Sequence, residues 1–196
     1  AWPLERPSDP RWSELLNLQE TAPSAEQDGF VFDYQSLLAC AWGRPSLAFG
    51  PMYQRYDSPM RVARLPGPPY HFMSRVTEID GPINEFKAGR NIEIAYDIPA
   101  GEWYFDENGC GTMPFAVLLE AALQPCGWLA SAVGSALTVE DELSFRNLDG
   151  TGTLHKELLR DAGTMRTQVK ITNISKSAGM IIEGFDVNCY LNDDVD

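Results

Sequence analysis

From Met113 to Val133 nearly every residue is apolar or small, and this run does most to restrict the fold. A helix that is apolar on almost all sides must be wrapped by other elements, because one apolar stripe against a single neighbour would leave the rest in water. The run lies within Trp103–Leu137, WYFDENGCGTMPFAVLLEAALQPCGWLASAVGSAL, and it holds one acid, Glu120, with Gln124 four residues on. On a helix these two share a face one turn apart. A lone carboxylate in apolar surroundings costs several kcal/mol unless it is paired or hydrogen-bonded, so Glu120 is the first candidate for chemistry and Gln124 its orienting partner. Pro125 deprives the carbonyl of Ala121 of its helical donor and predicts a kink.

The flanking pattern supplies the wrapping. HFMSRVTEID and FKAGRNIEIAYDI alternate as strands before the helix, with Gly81-Pro82 as a turn between them. ELSFRNLDG, TMRTQVKITNIS and MIIEGFDVNCYLN follow it, the last two forming a hairpin around Ser177-Ala178-Gly179. Two strands, a long helix and three further strands predict an α+β domain with an antiparallel sheet around one helix. Phe30–Trp42 reads as a short amphipathic helix ended by Gly43 and Pro45. Residues 43–70 are too rich in Pro and Gly for regular structure and read as a packed connector. Residues 1–29 read as linker, with helical turns at Trp12, Leu15, Leu16 and Leu18. The expected organisation is an extension over 1–48 and a domain over 49–196.

Fifteen basic against 28 acidic residues leave a net charge of −13, which argues against a nucleic-acid or anionic-membrane surface. No uninterrupted apolar segment reads as long enough to span a bilayer. Cys40, Cys110, Cys126 and Cys189 show no CxxC or Cys/His spacing, so no metal site is expected, and they read as reduced thiols of a cytoplasmic protein. The chain starts at Ala1 rather than Met, which reads as a piece of something longer. Against the acidic background, Arg44, Arg55, Arg61, Arg64 and Arg75 make a local reversal of sign.

Two stretches carry a resemblance. LPGPPYHFMSRVTEID resembles the opening of β-hydroxyacyl-ACP dehydratases, and MPFAVLLEAALQ resembles the start of their central helix, with Pro, a hydrophobic turn, then an acid, three residues and Gln. WYFDENGCGTMPFAVLLEAALQPCGWLA is most similar to the dehydratase-type domains of polyunsaturated fatty acid synthases and related polyketide megasynthases. The resemblance runs from about Phe49 to the C-terminus and implies a hot-dog fold. It also implies a role in eliminating water from a 3-hydroxyacyl chain carried on the phosphopantetheine of an acyl carrier protein, with no cofactor of its own. Elimination needs a base for the C2 proton, an acid for the departing hydroxyl and a donor for the thioester oxygen.

Carried over residue by residue, the acid falls on Glu120, its orienter on Gln124, and the backbone donor on the amide of Phe115, where the family has glycine. The family's histidine falls on Asn108 counted from Trp103, or on Asp106 counted back from Pro114, and neither is histidine. Asn108, Asp106 and Cys110 would then line the pocket at the lost position. His71 and His155, the two histidines of the chain, lie elsewhere and read as structural or exposed. The chain therefore reads as the acid-bearing half of a site shared with a second hot-dog domain, either a neighbour in a parent chain or another copy. On that reading Arg55, Arg61 and Arg64 are candidates for docking the acidic carrier protein. Two alternatives stay open: a non-catalytic hot-dog that scaffolds or binds an acyl chain, and an acyl thioesterase.

Overall fold

The computed structural model describes residues 24–57 and 60–191. Its elements, in chain order, are β1 (Glu26–Gln27), β2 (Phe30–Val31), α1 (Tyr34–Ala41), α2 (Pro45–Phe49), a 3-10 helix (Pro51–Tyr56), β3 (Arg75–Ile79) and β4 (Asn91–Asp97). They continue with α3 (Trp103–Glu107), α4 (Phe115–Ala132), a second 3-10 helix (Ser135–Thr138), β5 (Thr164–Ser177) and β6 (Met180–Leu191). The turns expected at Trp12, Leu15, Leu16 and Leu18 lie outside the described residues.

β3 to β6 form one antiparallel sheet in the order β3-β4-β5-β6, and α4 packs against β4, β5 and β6. Alternation sets the faces. Ile92, Ile94 and Tyr96 of β4 and Met165, Val169 and Ile171 of β5 point into the core, where Trp128 and Leu129 of α4 meet many of them. The opposite face of the same strands is polar and cross-linked: Arg75 pairs with Asp97, while Glu93 accepts from Thr77, Arg166 and Gln168. The mixed α+β reading and the β5–β6 hairpin therefore agree with the structure. α4 ends where Gly134 takes a left-handed φ of 85°, a conformation that favours glycine.

Several expectations are corrected. ELSFRNLDG forms no strand: Leu143 and Phe145 anchor it on the core, but no neighbouring strand lies alongside to form a ladder. The Pro- and Gly-rich connector contains regular structure, because α2 and the first 3-10 helix each open with a proline at the position whose N–H would have no helical partner. The Phe30–Trp42 segment turns helical only at Tyr34. Asp33 caps that helix by accepting from the Ser36 amide at 3.0 Å, while Phe30–Val31 closes a hairpin on Glu26–Gln27. Asp28 and Gly29 supply the two positive-φ residues such a hairpin favours.

The described part of the expected extension is built into the same core as the sheet: Phe32, Leu37, Cys40 and Ala48 pack in one cluster with Trp128 and Val76. α4 reaches 18 residues at a mean hydropathy of 1.3, long and apolar enough by length and composition to cross a bilayer, but Glu120 and Gln124 interrupt it and 56% of it is buried against the rest of the protein.

Candidate functional site

Gln124 is the fixed point of the site. Its side chain is buried, its Oε1 accepts the Phe72 amide at 2.8 Å, and its Nε2 donates to the Tyr70 carbonyl at 2.8 Å. The second hydrogen of the same nitrogen reaches Glu120 Oε1 at 3.2 Å. These partners decide which way the amide faces, since a flipped group would set N–H against N–H and C=O against C=O. Tyr70 and Phe72 belong to the segment that leads into β3, and that segment is itself pinned. The Tyr70 amide donates to Gly67, Trp103 Nε1 donates to Pro69, and the rings of Tyr70 and Trp103 stack at 6.2 Å. The indole of Trp42 lies so close to Gly67 that a Cβ there would sit 2.0 Å from it.

Glu120 is half-buried rather than enclosed, which corrects the buried acid expected from the sequence. The first half of α4 turns Val117, Ala121 and Gln124 inward and leaves Phe115 and Leu119 48% and 42% exposed. Glu120 therefore sits at the border between the core and an exposed apolar strip. Its Oε1 is held by Gln124, and Oε2 has no hydrogen-bond partner among the described residues.

The start of α4 provides dipole rather than side-chain chemistry. Pro114 occupies the cap position with no side-chain bond, and its carbonyl accepts from Val117 and Leu118. The amides of Phe115 and Ala116 come before any helical acceptor is available. Phe115 thus presents a first-turn donor beside an exposed ring.

The loop over 106–112, where the resemblance puts the histidine, is held by partners other than Glu120 and Gln124. Asn108 closes its own turn, donating to the Thr112 carbonyl at 2.9 Å. Asp106 is exposed and pairs with Arg160, which also lies over the Phe105 ring. Cys110 is an exposed free thiol. The loop's far end is fixed by a bridge between Thr112 and Leu159 and by the Met113 amide on the Leu158 carbonyl at 2.8 Å. The structure thus joins Glu120 to Gln124 but ties neither Asn108, Asp106 nor Cys110 to that pair by a hydrogen bond.

The arginines have local work. Arg55 donates to the carbonyls of Ala136 and Val139 at 2.9 and 3.0 Å, and Arg64 to those of Ala39 and Gly43 at 3.0 and 2.7 Å, neutralising helix C-terminal ends. Arg61 is exposed, and its backbone amide donates to Glu142.

His71, read from the sequence as structural, lies directly between the two residues that grip Gln124. It is buried, with its Nδ1 3.0 Å from the Pro66 carbonyl oxygen. Burial pushes its pKa down to about 4, outweighing the backbone of Pro66 and Met73, which favours the proton. Nothing local in the sequence marks this burial, since Pro69 and Tyr70 directly before it are exposed. His155 is exposed. Among the described residues no three His, Cys, Asp or Glu side chains converge as a metal site would require.

No family model matches the chain. Over 164 residues, 83% of its length, it is 29% identical to a polyunsaturated fatty acid synthase subunit of Thraustochytrium sp. (strain ATCC 26185 / S-3). It covers 11% of that relative, so the chain spans about a tenth of the length of the protein it resembles. The chain is thus similar to one stretch of a much longer polyunsaturated fatty acid synthase subunit.

Proposed function

We propose that this chain is a hot-dog domain of the dehydratase type, supplying the acid half of a site that eliminates water from 3-hydroxyacyl chains on an acyl carrier protein. The observation that carries the reading is the Glu120–Gln124 couple: one oxygen of a half-buried carboxyl group is held by a locked amide and the other has no hydrogen-bond partner among the described residues. A carboxyl group fixed in this way is suited to proton transfer. Similarity to part of a polyunsaturated fatty acid synthase supports the setting.

In the proposed step, a histidine of a second hot-dog domain removes the C2 proton of the 3-hydroxyacyl thioester. The C–H electron pair becomes the C2–C3 double bond. The C3–O bond breaks toward oxygen, and the Glu120 carboxyl gives that oxygen its proton, releasing water and a trans-2-enoyl thioester. The free first-turn amide of Phe115 would steady the negative charge that grows on the thioester oxygen. The exposed ring of the same residue narrows the approach to that amide.

The test is substitution. Glu120→Gln in a protein containing this chain and its histidine-bearing partner should remove elimination while leaving acyl-carrier binding in place, and full activity in that variant would end the reading.

A non-catalytic scaffold or acyl-binding role is the second reading, favoured by Asn108, which closes onto Thr112 in the place where a base would be needed. Acyl-chain binding without turnover, unaffected by Glu120→Gln, would support it. Hydrolysis of an acyl thioester by the chain would point instead to a thioesterase.

A further inference from the structure

We propose that Ser135 and Glu183 form a proton-controlled latch between β6 and the C-terminal end of α4, the end away from the Glu120 pair. The hydrogens available at the Ser135 hydroxyl decide how the latch works. Gly134 takes a left-handed φ and its amide donates to Ser131 at 2.9 Å, so no backbone amide reaches the Ala130 carbonyl among the described residues. Ala130 is only 4% exposed, and its carbonyl accepts from the Ser135 hydroxyl at 2.7 Å. The same hydroxyl oxygen lies 2.5 Å from Glu183 Oε1. A hydroxyl carries one hydrogen, a carbonyl has none to give, and a carboxyl group has one only when protonated. With Ser135 donating to Ala130, the second contact is made by the acid form of Glu183, which donates to Oγ. With Glu183 ionised, one hydrogen faces two acceptors and one contact is lost. The Ala130 carbonyl keeps it, because a buried acceptor with no other donor is costly to leave unpaired, whereas a half-buried carboxylate can turn to solvent. The two contacts together therefore describe the acid form.

The surroundings favour that form. Glu183 stands opposite Ile174 in the β5–β6 register, and Phe185 and Val187 further along β6 pack against the core. Burial raises its carboxyl pKa above the ordinary value, outweighing a hydrogen bond from Ser135 that would lower it. No cation offsets the burial, since the charged and titratable groups on the neighbouring elements are engaged elsewhere. On the first 3-10 helix Tyr53 donates to the Ser131 carbonyl, Tyr56 to that of Ala136, and Arg55 to those of Ala136 and Val139. Lys176 of β5 donates to Thr138 at 3.0 Å, and Glu85 and Lys87 between β3 and β4 pair with each other. Cys126 of α4 and Cys189 of β6 are held as neutral thiols by burial. A raised folded pKa means that the latch is closed in acid: its contribution to stability is complete below 4.5 and is lost as pH rises through the folded value.

The test is a carbon-13 titration of the chain between about pH 4 and pH 8, following the Glu183 carboxyl carbon, the Ala130 carbonyl carbon and the Ser135 β-carbon. The Glu183 midpoint should lie above 4.5, with the other two signals moving at the same midpoint. In Glu183→Gln, whose amide donates to Oγ at every pH, the Ala130 and Ser135 signals should stay at their acid positions throughout. In Ser135→Ala the Glu183 midpoint should fall, because the acid loses its acceptor. A rise there would show that Ser135 gives its hydrogen to the carboxylate, and would overturn the proposal. A midpoint at or below 4.5 in the unaltered chain, or Ala130 and Ser135 signals that do not follow it, would overturn it even if neither variant folds.

Discussion

Gln124 Nε2 stands 3.2 Å from Glu120 Oε1 while donating to the Tyr70 carbonyl, so the amide that holds the acid is itself held by the backbone leading into β3. The acid's orientation therefore depends on the strap across the helix as well as on the helix. Gln124→Ala should leave the Tyr70 carbonyl and Phe72 amide without partners, at a cost of about 2–4 kcal/mol measured by chemical denaturation. Gln124→Glu should also be destabilising, since a carboxylate cannot donate to Tyr70 and faces Glu120 one turn away. A loss below about 0.5 kcal/mol in both variants would show that the strap does not depend on this amide.

Glu120→Gln should behave in the opposite way. Glu120 is half-buried and its one hydrogen bond is accepted by an oxygen that an amide also has, so stability should change by less than about 1 kcal/mol. Elimination in the complete site should fall by about 10²–10⁴-fold, the range for loss of a positioned acid–base group. Denaturation and enoyl-formation rates on the same preparation separate these two effects.

Asp106 pairs with Arg160 on the surface, with the two side chains 65% and 42% exposed. Asp106→Asn should therefore cost no more than about 1 kcal/mol and leave elimination in the complete site unchanged. A large loss of activity with normal stability would return Asp106 to the position of the lost base.

The buried His71 predicts acid sensitivity. Its folded pKa of about 4 lies below the ordinary 6.5, so between these values the unfolded chain binds a proton that the folded chain refuses. The stability contribution is complete above pH 6.5 and is lost as pH falls toward 4, by about 3 kcal/mol at most. Glu183 runs the other way: burial raises its pKa, so the unfolded chain ionises first and stability falls as pH rises past 4.5. Denaturation of the parent and His71→Leu from pH 7 to pH 4 isolates the histidine, since the variant should show a flatter decline. Parallel curves would contradict the assignment.

Where a residue pattern was tied to a partner close by, the sequence disclosed the structure well. β3 to β6 follow from alternation, α4 from its apolar run, and the Glu120–Gln124 contact from four-residue spacing. What failed depended on distant partners. ELSFRNLDG alternates like a strand, but a strand exists only if another lies beside it, and here only Leu143 and Phe145 find a seat. The half-exposure of Glu120 could not be read either, because α4 is apolar all round in composition while its first half is left uncovered at Phe115 and Leu119. Gln124's hold on Tyr70 and Phe72 spans more than fifty positions of chain and leaves no local signature.

Glu120 as the acid, with the base on a second domain, is open to a direct rate comparison. The most direct measurement is the rate of trans-2-enoyl thioester formation from a 3-hydroxyacyl-pantetheine thioester. It would be run with this chain alone, with a hot-dog domain bearing a His-Phe-x-Gly loop alone, and with the two together. No elimination is expected from this chain alone, elimination is expected from the pair, and Glu120→Gln should abolish that gain. Water elimination by the isolated chain, or a pair whose rate is untouched by Glu120→Gln, would contradict it.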